Sequence, residues 1–158
     1  MSSLDVRIVK LEPMRVAGVW AFGESPETEA HEKLRAWAGP KGLLADPKKH
    51  RIFGFNNPNP SAGSPKYGYE VWITASRDVE PEGDVRIGGF PGGLYAVTRC
   101  DVPAGEAGNV IPATWQKLAS WRKDNHHKRG THQWLEETIP AALPGIDFVL
   151  DLYHPIAE

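Results

Sequence analysis

Short apolar segments separated by turn residues run the length of the chain. Val6 to Leu11 alternates and Val16 to Phe22 is almost continuously apolar, with Glu12-Pro13 as a turn between them. Runs of this kind predict strands. Ser25, Pro26 and Glu27 then form a helix start, with a capping residue, a proline at the first helical position and an acid in the first turn. Ala30, Leu34, Trp37 and Ala38 recur at helical spacing, and Gly39-Pro40 ends the pattern. Arg51 to Phe55 and Tyr67 to Ala75 predict two more strands around a Pro/Asn/Gly/Ser loop from Asn56 to Lys66.

The second half repeats the plan. Asp84 to Phe90 and Leu94 to Cys100 predict a hairpin around Pro91-Gly92-Gly93. A helix is expected over roughly Pro112 to Asp124, with Trp115, Leu118, Ala119 and Arg122 on one stripe. Thr131 to Ile139 and Asp147 to His154 close the pattern as strands. Val6-Arg7-Ile8 returns as Val85-Arg86-Ile87, and Leu34-x-x-Trp37 as Leu118-x-x-Trp121. Two copies are too few for a solenoid. The pattern predicts an α+β fold, a pseudo-twofold duplicated β-β-α-β-β in one domain over 1–158, with internal halves at about 5–76 and 84–156. An antiparallel-type sheet would carry both helices on one face and a ligand cleft on the other.

Alternation assigns side chains to those faces. Val71 and Ile73 are expected to meet the first helix, which leaves Glu70, Trp72 and Thr74 pointing away. Phe148, Leu150 and Leu152 are expected to meet the second, which leaves Val149, Asp151 and Tyr153. Ile52 faces a helix while Phe53 and Phe55 do not. Leu135 and Ile139 are assigned to the helix side, and Trp134, Glu136 and Thr138 to the open side. The helix-free face would then carry Phe53, Phe55, Trp72, Trp134 and Tyr153 among Glu70, Glu136 and Asp151, with hardly any cations. Such a face serves as core packing, with solvated carboxylates at its edges, or as a cleft for a flat lipophilic cation. Each cation–π contact there would be worth roughly 0.5–2 kcal/mol.

Composition narrows the function classes. The 158 residues hold 18 Lys and Arg against 20 Asp and Glu, a net charge of −2 that argues against a general nucleic-acid binder. The single cysteine, Cys100, excludes an internal disulfide and a cysteine-based zinc site and reads as a packed or free thiol. No apolar run is long enough to span a membrane, and Met1-Ser2-Ser3-Leu4-Asp5 lacks a signal pattern, so a cytoplasmic protein is expected. His126, His127 and His132 lie in a polar, cationic stretch and read as a solvated helix end rather than a metal site. Gly88-Gly89 and Gly92-Gly93 lack the Gly-Lys-Ser/Thr ending of a phosphate loop and read as turn glycines. No metal and no organic cofactor is implied.

Several segments together resemble the GyrI-like small-molecule-binding domain, found in gyrase-inhibitor-like proteins and in the effector-binding domains of AraC- and MerR-type multidrug-sensing regulators. They are Met14-Arg15-Val16-Ala17, the Trp37 helix, Tyr67-x-Tyr69-Glu70-Val71, Gly92-Gly93-Leu94-Tyr95-Ala96-Val97, Trp115-x-x-Leu118-x-x-Trp121, Trp134-Leu135-Glu136-Glu137 and Leu152-Tyr153-His154-Pro155-Ile156. The resemblance covers nearly the whole chain. It implies an acidic residue at the floor of a ligand cleft in the seventh strand, which matches Glu136, with Glu137 second. Leu135 and Thr138 depart from the aromatic and tyrosine usual around that glutamate. The family's regulators carry a helix-turn-helix ahead of this domain, and only four residues precede Asp5 here, so a stand-alone sensor or scavenger is expected.

The expected ligands are lipophilic, cationic aromatic compounds, with no direct nucleic-acid or membrane partner. Glu136, Trp134, Trp72, Phe53, Phe55 and Tyr153 form the expected site, and Tyr69 and Glu70 are further candidates. No catalytic residue is assigned. Two other functions fit the resemblance. One is hydrolysis of strained electrophilic toxins in an aromatic cage, with Glu136 or Glu70 as general base. The other is a protein-interaction module such as a gyrase inhibitor.

Overall fold

The computed structural model describes residues 4–140 and 143–158, so Met1-Ser2-Ser3, on which the N-terminal reading partly rests, lies outside the described residues. The elements run β1 (Val6–Leu11), β2 (Met14–Gly23), α1 (Pro26–Ala38), β3 (Ile52–Asn56), β4 (Tyr67–Thr74), β5 (Arg86–Phe90), β6 (Gly93–Pro103), α2 (Ala107–Asp124), β7 (Leu135–Ile139) and β8 (Ile146–Pro155). The fold is α+β, and the strand pairs are antiparallel.

The expected hairpin of β5 on β6 does not form. β1 pairs with β6, and β5 pairs with β2. Turn chemistry gives the reason. Tight hairpin loops need positive φ at their central residues, and proline fixes φ near −65°. Pro13 and Pro91 each sit in the short link after a first strand, so the next strand leaves in another direction. Gly92, at φ 82°, allows the second link, because a side chain there would strike the Leu11 carbonyl oxygen at 2.1 Å.

The chain therefore forms two compact units, one of Pro13–Pro91 and the other of the stretches up to Glu12 and from Gly92 on. Within the first, strands lie in the order β5-β2-β4-β3; within the second, β1-β6-β8-β7. Each is a first strand, second strand, fourth strand and third strand of the duplicated plan, with the first strands exchanged along the sequence.

One helix covers one sheet face in each unit. α1 packs Ala30, Leu34 and Ala38 onto Ala17, Val19 and Ala21 of β2 and Tyr69, Val71 and Ile73 of β4. α2 packs Leu118, with Trp115 and Trp121, onto Ala96, Cys100 and Val102 of β6 and Leu150 and Leu152 of β8. Ser25 holds the α1 N-cap position without a side-chain cap bond, and Pro26 follows it as expected. α2 starts at Ala107 rather than at Pro112. Pro112 lies inside the helix, where it gives up one backbone hydrogen bond. Here Val110 and Ile111 pack on the core and draw an extra turn into the helix. No helix among the described residues is long and apolar enough to cross a membrane.

Candidate ligand cleft

The helix-free face of the Pro13–Pro91 unit holds a cleft of about 500 Å³. Val16, Gly18 and Trp20 of β2 line it together with Glu70 and Trp72 of β4, while Asn57, Asp84, Arg86, Gly88 and Gly89 form its margins. Register puts the central residues in two rows across the strands. Phe53, Trp72, Gly18 and Arg86 form one row, and Phe55, Glu70 and Trp20 the next.

Polar contacts hold the Glu70 carboxylate at the cleft floor. The Trp72 indole N–H donates to its Oε2 at 2.8 Å, and the Asn57 amide donates to its Oε1 at 3.1 Å. Both donors are neutral, so they orient the carboxylate without cancelling its charge. Trp20 is 47% exposed and donates its own indole N–H to the Asn57 carbonyl at 2.7 Å. Gly18 is required by the close passage of Trp72, whose Cδ1 would lie 2.8 Å from a Cβ at that position. Behind the cleft, the buried Phe55 meets Trp72 edge-on, with centroids 4.7 Å apart, and the buried Phe53 lies under the Arg51 guanidinium at 5.0 Å.

Phe53, Phe55, Glu70 and Trp72 thus lie on the face the alternation assigned to them. Tyr69 does not belong with them, since it is 4% exposed and packed among the residues that meet α1. Period two places 69, 71 and 73 together.

In the other unit, β7 has the opposite phase from the one expected. Leu135 is opposite Tyr153, Glu136 opposite Leu152 and Glu137 opposite Asp151. Residues directly opposite share a face, and a shift of one residue sends a whole strand's side chains to the other side. Trp134 and Glu136 accordingly sit on the α2 side. The Trp134 ring lies 5.3 Å from Trp115 and 4.2 Å from His154, and the Trp115 indole donates to Glu136 at 3.3 Å.

Glu137 is buried on the helix-free side, next to the buried Asp151, and accepts the Tyr153 hydroxyl at 2.6 Å. Tyr153 keeps its expected face. Asp151 does as well, but it is bound by Arg7 at 2.8 Å and Arg99 at 2.7 Å, so that face is not poor in cations. The hydrogen bond that Arg99 donates to Asp151 raises its guanidinium above the usual arginine value.

The remaining candidates are engaged separately. His127 stacks on Trp121 at 5.5 Å, while His132 lies against Tyr95 and bonds the Leu94 carbonyl at 2.7 Å. Cys100 is buried, and burial pushes its thiol up, away from nucleophilic chemistry.

Gly18, Trp20, Asn57 and Arg86 escaped the sequence reading, and Glu137 entered it only as second to Glu136. For the first two a signal was present. Val16 to Phe22 reads as a continuous apolar run, yet its odd set, Ala17, Val19 and Ala21, is small, and its even set carries Trp20 and Phe22. That difference in size separates the helix-packed face from the open one.

No protein among the curated ones matches the chain significantly. The C-terminal domain of EcmrR shares the fold at 13% identity, with 98% of each chain covered and a TM-score of 0.70. SAV2435, solved bound to tetraphenylphosphonium, is 11% identical over 98% of this chain and 94% of its own, with a TM-score of 0.57. An integron cassette protein from the mobile metagenome of Vibrio cholerae is 14% identical over 96% and 95%, with a TM-score of 0.52. The model of the integron-associated effector binding protein family matches residues 7–156. A duplicated α+β chain with a cleft on a helix-free sheet face, matched by that model almost from end to end, has the GyrI-like fold and belongs to the integron-associated effector-binding proteins.

Proposed function

We propose that this protein binds lipophilic, cationic aromatic compounds in the cleft of the Pro13–Pro91 unit, as a cytosolic sensor or scavenger of such molecules. Trp72 and Trp20 offer ring faces to the ligand, Glu70 supplies the counter-charge, and Phe53 and Phe55 back the Trp72 ring. Glu136 and Trp134, which meet α2, take no part.

One observation carries the reading. Glu70 is an oriented carboxylate whose hydrogen bonds come from two neutral donors, set beside aromatic rings in a cleft of about 500 Å³. A pocket of that size suits a drug-sized molecule. Aromatic faces and a partly desolvated carboxylate both favour a cation over a neutral compound of the same shape. The tetraphenylphosphonium bound by SAV2435 is a ligand of this class on a shared fold.

Titration with a cationic dye and a neutral dye of like shape, read by quenching of tryptophan fluorescence, tests the proposal. Glu70→Gln is expected to weaken the cationic dye at least tenfold and the neutral dye less than twofold. Equal losses, or a wild-type protein that prefers the neutral dye, would overturn it.

A further inference from the structure

The two units carry equivalent positions on their helix-free faces and fill them differently. In one, Asp151 is opposite Arg99 on β6, and Arg7 reaches it from β1, where it is paired with Val97. Both guanidinium groups bond the carboxylate, at 2.8 Å from Arg7 and 2.7 Å from Arg99. In the other, register puts Glu70 in the place of Asp151, Trp20 in that of Arg99, Gly18 in that of Val97 and Arg86 in that of Arg7.

The exchanges change what the carboxylate meets. Trp20 puts a flat ring where the other unit has a cation. Gly18 removes the side chain beside which Arg7 lies. The bonds to Glu70 then come from Trp72 and Asn57, and the cleft opens above it. At the margin, Arg86 and Asp84 are exposed and of opposite sign, so they offset each other in part. The Asp151 site therefore displays, as part of the chain, the kind of group that its open counterpart would accept. That group is a planar, delocalised cation whose N–H bonds fit a carboxylate.

We propose that the cleft selects flat aromatic compounds bearing an amidinium or guanidinium group. The N–H bonds engage Glu70 as Arg7 and Arg99 engage Asp151, and the ring lies against Trp72 and Trp20. This inference rests on the reading that the cleft binds cationic aromatics, and narrows the cation to one that donates hydrogen bonds.

Two probes with the same ring and the same charge separate the two ideas. 2-Naphthamidine carries N–H donors, and trimethyl(2-naphthyl)ammonium carries none. Isothermal titration of the full chain is expected to show 2-naphthamidine binding at least tenfold tighter. Glu70→Gln is expected to bring the two probes within twofold, and Glu70→Asp, which keeps the carboxylate, to retain a preference in the same direction. Circular dichroism of each variant checks the fold. Equal wild-type affinities, or a Glu70→Gln loss of the same factor for both probes, would overturn this inference and leave the broader cation reading standing. Failure of both probes to bind the wild-type chain would overturn both.

Discussion

Trp72 and Glu70 lie two residues apart on one face of β4, and the indole N–H of the first holds the carboxylate of the second at 2.8 Å. Strand neighbours of this spacing stand side by side, so a single ring serves both as a stacking surface and as the donor that orients the counter-charge. Trp72→Phe separates the two roles by keeping an aromatic ring and removing the donor. Affinity for a cationic dye is expected to fall about three- to tenfold, in line with the roughly 1 kcal/mol of one hydrogen bond. A neutral dye should change less than twofold in the same fluorescence titration, and equal changes would show that the indole N–H has no orienting role.

Gly18 makes room for that ring. A methyl group in its place would sit 2.8 Å from Trp72 Cδ1 and force the indole to move. Gly18→Ala is expected to cost about 1–3 kcal/mol, the usual range for overpacking, and to weaken dye binding alongside. Urea denaturation with a parallel dye titration measures both effects. Unchanged stability and unchanged affinity would mean that the ring shifts freely.

The Tyr153 hydroxyl bonds the buried Glu137 carboxylate at 2.6 Å. Tyr153→Phe takes that donor from an acid with little access to water. The expected destabilisation is about 1–3 kcal/mol, the penalty for a buried polar group losing a partner. It should appear as a lower urea midpoint at an unchanged slope.

His31 on α1 links stability to pH. Burial, with the Arg35 charge second, lowers its imidazole from 6.5 to about 4. Between those values the unfolded chain binds a proton that the folded chain does not. The contribution is therefore complete above about pH 6.5 and is lost progressively as pH falls toward 4. The loss is on the order of 2 kcal/mol, less than the full shift implies because the ring keeps some solvent contact. His31→Gln should flatten the stability curve between pH 6.5 and 4, and an equally steep variant would assign the slope to other groups.

The faces of β3, β4 and β8 were legible because their aliphatic residues alternate with aromatic and charged ones, as in Val71-Trp72-Ile73. β7 was not. Trp134-Leu135-Glu136-Glu137 offers an apolar residue and an acid in both phases, so composition cannot choose between them. The choice is made by register against β8, which pairs Leu135 with Tyr153. Strand pairing escaped for a similar reason. Sequence neighbours β5 and β6 look like a hairpin, and only the backbone limits of Pro91 show that the link cannot close one. The cleft margin at Arg86 depends on that pairing, because β5 comes beside Gly18 only when it leaves β6.

The exchange of first strands has a consequence for how the chain comes to be folded. Val6–Leu11 emerges early in synthesis and must wait for Gly93–Pro103 before its ladder can close. Long sequence separation between partners slows folding, because loop closure is opposed by chain entropy before any contact rewards it. A gene cut at the boundary between the two sequence repeats would yield fragments that each hold a strand belonging to the other. Mixed together, such fragments are expected to complement one another, since each supplies the edge that the other lacks.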